Sequence, residues 1–211
     1  VNSLDQIAGV AHPLVGTPKG VVLLTHGAGG SRDSPLLIRI CEEWAARGWL
    51  AIRYNLPYRR RRPTGPPSGS AAADLSGIVE AVAFARTLPD ITGTDGPVIA
   101  GGHSYGGRLT SMAVADGLFH VDVLTLFSYP LHPPGKPERA RTGHLGAISA
   151  PTAFTHGSSD PFGSIVELNA AAAMMTAPTE IVEIAGARHD LASKTLDVSG
   201  LAVDAALRLQ R

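Results

Sequence analysis

Gly102-His103-Ser104-Tyr105-Gly106 is a G-x-S-x-G sequence. Alone it is a weak signal, but it sits between a short apolar run, Val98–Ala100, and a helix-like segment, Ser104–Asp116. That strand–turn–helix setting is what a serine nucleophile on a sharp turn requires. A serine hydroxyl attacks poorly until a base takes its proton, and the base works best when an acid holds it in place. Asp160 stands in Thr155-His156-Gly157-Ser158-Ser159-Asp160-Pro161, and His189 in Gly186-Ala187-Arg188-His189-Asp190. Each follows an apolar strand-like run, and the chain order is serine, acid, histidine. We expect Ser104 to attack, His189 to take its proton and Asp160 to fix the imidazole tautomer. Negative charge on a tetrahedral intermediate needs backbone donors. The N–H of Tyr105 is one candidate. The other is the N–H of Ala28, in His26-Gly27-Ala28-Gly29-Gly30.

His132 is the reserve candidate for the base. His26 is read as packing or hydrogen-bonding its own loop. The side chain of His103 is expected to turn away from Ser104, because it is the next residue in sequence. His26, Gly27, Arg59, Arg60, Tyr129 and His132 are the candidate substrate contacts.

These residues need a frame. Val21–Thr25, Leu50–Tyr54, Val98–Ala100, Val121–Phe127, Thr152–Thr155 and Glu180–Ile184 are continuous apolar runs of strand length. Such runs fit a sheet covered on both faces. Between them lie helix-like segments: Pro35–Arg47, Ala71–Leu88 (stopped by Pro89), Ser104–Asp116, Ser164–Met175 and Thr195–Leu209. The alternation predicts an α/β fold, a mostly parallel twisted sheet with helices on both faces. Ligands in such sheets bind beyond the carboxyl ends of the strands. The long loops Asn55–Ser70 and Ser128–Pro137 should therefore frame the site.

Composition narrows the classes. At 211 residues, with 44% hydrophobic content, the chain is expected to be a single domain, 1–211, with ample material for a core. Lys plus Arg and Asp plus Glu are both 18, so the net charge is zero, which argues against a generic nucleic-acid binder. Cys41 is the one cysteine, which excludes a disulfide framework or a multi-cysteine zinc site within the chain. No metal or cofactor is indicated. No run approaches a membrane span. The first residues, from Val1, lack the character of a signal peptide, and a cytoplasmic setting is the expectation.

Five stretches resemble a known group: Leu24–Gly30, Ile52–Tyr58, Gly101–Gly107, Ser128–Pro137 and Gly157–Pro161. The chain is similar to the α/β-hydrolase superfamily, to its dienelactone-hydrolase-like branch, and within that to bacterial relatives of the KANL3/Tex30 family. The resemblance implies the α/β-hydrolase fold, with Ser104 as nucleophile, Asp160 as acid and His189 as base. Dienelactone hydrolases carry Cys where this chain has Ser104, which points toward ordinary esterase chemistry. Relatives often have Lys and Met where this chain has His103 and Tyr105.

Only Ser128–Ala150 separates two strands at the place where many such hydrolases carry a lid. A large cap is therefore excluded, and short turns around Glu138–Arg141 and Leu145–Ile148 are expected instead. An open pocket for a small soluble ester follows. Arg59–Arg62 reads either as a solvated loop or as a clamp for an anionic substrate. A thioesterase or amidase would use the same three residues, and a non-catalytic binding module on this fold is the rival class.

Overall fold

A computed structural model describes residues 4–88 and 96–210. The expected helix stop at Pro89 and the chain start at Val1 lie outside the described residues. In chain order the elements are β1 (Gly9–Ala11), β2 (Val21–Thr25), α1 (Pro35–Ala46), β3 (Leu50–Tyr54), α2 (Pro57–Arg61), α3 (Ala72–Ala85), β4 (Val98–His103), α4 (Ser104–Ala115), β5 (Val123–Phe127), β6 (Thr152–Gly157), α5 (Ile165–Ala172), β7 (Thr179–Ile184) and α6 (Val198–Leu209). The strands form one sheet of order β1-β3-β2-β4-β5-β6-β7. All neighbours are parallel except β1, which runs antiparallel to β3.

The order places a switch point at the centre. From β2 the chain moves outward to β3, then returns past β2 to β4 and continues the other way. The register aligns Thr25 with Tyr54 on one side and with Gly102 on the other. The loops leaving β2, β3 and β4 therefore start side by side, at the crevice where such sheets bind ligands.

Strand periodicity divides the core. Val21 and Leu23 point into one layer with Ile78, Val82 and Phe84 of α3 and Leu109 of α4. Val22 and Leu24 point into the other with Leu37, Ile40 and Trp44 of α1 and Val203 and Ala206 of α6. A two-residue side-chain period against a 3.6-residue helical stripe produces this sandwich. Cys41 belongs to the second layer, fully buried, and burial pushes its thiol up to about 12.

Several boundaries differ from the sequence reading for local reasons. α1 starts where expected, with the Ser34 hydroxyl accepting from Leu37 N–H and a proline in its first turn. α6 starts at Val198 rather than Thr195, because the Asp197 carboxylate caps the Gly200 N–H. β4 runs on to His103, since β2 and β5 pair with it on both sides. β5 begins at Val123, because the Asp122 carboxylate accepts from Val98 N–H just before it. β1 has no counterpart among the apolar runs of the sequence. α2 lies inside the expected loop after β3. Its first turn holds Pro57, and the Asp74 carboxylate accepts from Tyr58 N–H at 2.8 Å, as a capping side chain would. Between β5 and β6 there is only an irregular segment with one 3-10 turn, Leu145–Ala147. No large lid is present there. Among the described residues, no helix is long and apolar enough to cross a membrane.

Candidate active site

Ser104 is the first residue of α4 and has φ +49°. A non-glycine residue in this left-handed region is strained by about 1–3 kcal/mol, and the surrounding structure must hold it there. The flanking glycines show how. A β-carbon on Gly102 would lie 2.3 Å from the Thr25 carbonyl oxygen, and one on Gly106 would lie 2.5 Å from that of His26. Both positions exclude a side chain, so β4 and α4 close down on the end of β2 with the serine at the tip between them. The G-x-S-x-G spacing is thus a packing requirement as well as a turn requirement.

Asp160 and His189 reach this tip from the ends of β6 and β7. His189 Nδ1 is 2.8 Å from Asp160 Oδ2 and 3.0 Å from Oδ1. His189 Nε2 is 2.8 Å from Ser104 Oγ. With Nδ1–H donating to the carboxylate, Nε2 is left bare to accept the serine proton. Burial alone would raise the Asp160 carboxyl. The His189 contact, the Phe162 N–H at 2.9 Å and the fields of His189 and His156 outweigh it, and the group is held below the usual carboxylate range. The Phe162 ring lies over the His189 imidazole, with centroids 4.2 Å apart. The expectation that His103 turns away is corrected. It lines the cleft, and its Nε2–H donates to the His189 backbone carbonyl at 2.8 Å. Burial lowers its pKa to about 4, so the ring is neutral at pH 7.

The loop after β2 is braced from behind. His26 Nδ1–H donates to the Gly27 carbonyl at 2.9 Å, while its Nε2 accepts from Leu56 N–H at 3.2 Å. Tyr58 OH donates to the Ala28 carbonyl at 2.8 Å and lies 3.2 Å from that of Gly27. Gly30 N–H also donates to the Gly27 carbonyl. The C=O and N–H of a trans peptide point in opposite directions. Holding Gly27 C=O toward Tyr58 and His26 therefore aims the Ala28 N–H the other way, toward the cleft that Ala28 lines. Tyr105 is the second residue of α4, so its N–H is one of the free donors of that helix end. Buried Asp74 ties the two halves together. One carboxylate oxygen accepts from Tyr58 N–H and the other from Tyr105 OH at 2.9 Å.

A sequence model of the alpha/beta hydrolase domain family matches residues 18–209. The chain belongs to this family. Solved structures share its fold. Est1E from Butyrivibrio proteoclasticus, solved with ferulic acid bound, superposes with a TM-score of 0.74 at 14% identity, covering 95% of this chain and 93% of that one. A dienelactone hydrolase from Anabaena variabilis gives 0.69 at 23% identity, over 96% and 88% of the two chains. Esterase 2 from Thermogutta terrifontis gives 0.69 at 18% identity, over 95% and 86%.

In this alpha/beta hydrolase a cleft of about 610 Å³ opens over Ser104. Gly27, Ala28, Tyr105 and His189 line it, as do Phe162 and Pro130. The other sequence candidates fall elsewhere. His26 is fully buried behind the loop, and burial lowers its pKa to about 4. The clamp expectation is corrected for Arg59, which is 5% exposed. Its Nε donates to Gly30 O, its Nη2 to Ala28 O and Gly65 O, and its Nη1 to Arg62 O. All three of its guanidinium nitrogens donate to backbone carbonyls. Arg60 is exposed and lies outside the cleft lining. Tyr129 is buried, with its hydroxyl on the Arg141 carbonyl at 2.8 Å. His132 lines a separate apolar pocket with Leu131 and Met174, near Glu167 Oε1 at 3.3 Å.

Ser34, His103, Pro130 and Phe162 also line the cleft without having been sequence candidates, and so do two charged residues, Arg108 and Arg141. The signal for Arg108 was present, since it stands four residues after Ser104 and so shares its helix face. Nothing in the sequence pointed to Arg141. Among the described residues, no group of three or more His, Cys, Asp or Glu side chains could hold a metal ion.

Proposed function

We propose that the chain is a single-domain serine hydrolase that cleaves small carboxylic esters through an acyl-enzyme on Ser104. The observation that carries this reading is the continuous hydrogen-bonded line Asp160–His189–Ser104 beneath an open cleft. Ser104 Oγ attacks the acyl carbon, and its proton passes to His189 Nε2. The Ala28 and Tyr105 N–H groups receive the charge on the carbonyl oxygen. The intermediate collapses, the C–O bond to the alcohol breaks, and the imidazolium returns its proton to the leaving oxygen. Water then attacks the acyl-enzyme with His189 as base. The acid is released and Ser104 regains its hydrogen.

The names of two structural neighbours, an esterase and a dienelactone hydrolase, support ester chemistry. Ser104 in place of cysteine favours the esterase side of that group. The narrower kinship with KANL3/Tex30 relatives belongs to the same reading and rests on Ser128–Pro137. A cytoplasmic setting belongs to the same reading, and a chain with a single cysteine fits a reducing compartment.

A fluorophosphonate probe should label the wild type and not Ser104→Ala, and the variant should lose about 10⁴-fold or more in kcat. A panel of short esters, thioesters and amides then ranks the bond cleaved. Equal labelling of the two proteins, or a folded wild type with neither labelling nor turnover, would overturn the proposal.

A further inference from the structure

We propose that Arg108 and Arg141 form an anion site beside Ser104, so that the ester this protein takes carries a carboxylate or phosphate-type oxyanion. The claim about the substrate rests on the serine-hydrolase reading, whereas the anion site stands on its own geometry.

Arg108 is one helical turn beyond Ser104 on α4, about 5–6 Å along the same face. Arg141 reaches the same cleft from the segment between β5 and β6. Its backbone is fixed at both ends of the residue. Arg141 N–H donates to Leu131 O at 2.7 Å, and Arg141 O accepts from Tyr129 OH at 2.8 Å. Both side chains are half-buried, and the cleft lining contains no Asp or Glu.

Other arginines of this neutral chain meet carboxylates: Arg47 with Asp204 at 2.7 Å, Arg53 with Asp33, and Arg208 with Glu180. Among the described residues, neither Arg108 nor Arg141 is in such a pair, and Arg108 Nε is buried without a hydrogen-bond partner. Arg141 also feels its neighbour. Burial and the neighbouring Arg108 hold the Arg141 guanidinium below its ordinary value, and burial with the same Arg108 lowers His144. Two guanidinium groups kept close together without a counter-charge are costly. A bound oxyanion relieves that cost, with the forked geometry arginine offers to carboxylate and phosphate alike. Arg59–Arg62, the obvious basic run in the sequence, is not this site. Arg59 is committed to carbonyls, and the other three are exposed.

The test compares esters of matched length. Monomethyl succinate and methyl 3-phosphonopropionate are set against methyl butyrate for an anion on the acyl side. Acetoxyacetate is set against propyl acetate for an anion on the alcohol side. In the wild type at least one anionic ester should exceed its neutral counterpart tenfold or more in kcat/KM. That ratio should fall toward one in Arg108→Gln and in Arg141→Gln, mainly through KM, and Arg141→Lys should recover part of it. A purely structural role would lower both members of a pair together and leave the ratio unchanged.

Calorimetry on Ser104→Ala separates the two claims. Anionic esters should bind that variant more tightly than neutral ones, and Arg141→Gln in the same background should abolish the difference. Binding of this kind in a protein that never labels or turns over would keep the anion site and remove the hydrolase reading. Labelling and turnover with no anionic preference, in rate or in binding, would overturn the anion site and leave the hydrolase reading intact.

Discussion

On one side of Ser104, the carbonyls of Gly27, Ala28 and Gly30 are met by side chains of His26, Tyr58 and Arg59. On the other side, Arg108 and Arg141 face the same cleft with no carboxylate to meet them. The first wall is over-determined. Its backbone direction is set before any substrate arrives, which is what donors to a developing charge require. The second wall is under-satisfied, and on the proposed reading its missing partner is the ligand. The same residue type therefore does opposite work a short distance apart. Buried Arg59 holds the fold by donating to carbonyls, while Arg108 and Arg141 leave their donors for something else. Stability should be concentrated in the first wall and selectivity in the second.

Mutations can break this contrast, and the largest effect should lie on the floor that both walls serve. Asp160→Asn should lower kcat by about 10⁴-fold with the fold intact by circular dichroism. A loss under tenfold would mean that the walls, not the hydrogen-bonded line between them, carry the chemistry. Next comes the braced wall. Arg59→Gln leaves buried carbonyls without donors, at a cost of about 2 kcal/mol, so Tm should fall by about 4–8 °C. An unchanged Tm would erase the distinction between the walls.

Acid should expose the same wall. His26 and His103 titrate near 4 in the folded chain, against about 6.5 when unfolded. The unfolded state takes up protons first, so their contribution is complete above about pH 6.5 and is lost as pH falls toward 4. Asp160, also depressed, adds a further loss below the ordinary carboxylate range. The urea midpoint should therefore drop between pH 6.5 and 4.5, and His26→Gln should flatten that slope. A midpoint constant over this window would show that the rings are not held neutral. The smallest effect belongs to the other wall. Arg141→Gln should keep Tm within about 2 °C, since it removes a charge that no carboxylate balances. A fall as large as that of Arg59→Gln would make the two walls equivalent.

The sheet was legible because its central strands are continuous apolar runs between helical stripes, as in Val21–Thr25 followed by Pro35–Arg47. Ser104, Asp160 and His189 could be picked out because each stands just past such a run. What escaped depends on contacts distant in sequence. β1 is three residues of Gly-Val-Ala, too short to show a period, and exists by pairing with β3. α2 is a five-residue helix whose first N–H is met by Asp74, sixteen positions away. A run of four arginines reads as solvated or functional. The burial of one of them is decided by carbonyls about thirty residues earlier. Arg141 lies in a segment without periodicity, and its nearness to Arg108 follows from tertiary folding alone.

The segment between β5 and β6 is short and carries no helical cap. For a hydrolase built this way, entry and exit need no gating motion, and product escape is not a conformational step. Turnover would then be set by bond making and breaking on Ser104, and added viscogen would leave kcat nearly untouched. The same openness leaves the acyl-enzyme exposed to any nucleophile small enough to reach it. Alcohols would compete with water for the acyl group, and the balance between hydrolysis and transfer would follow their relative concentrations.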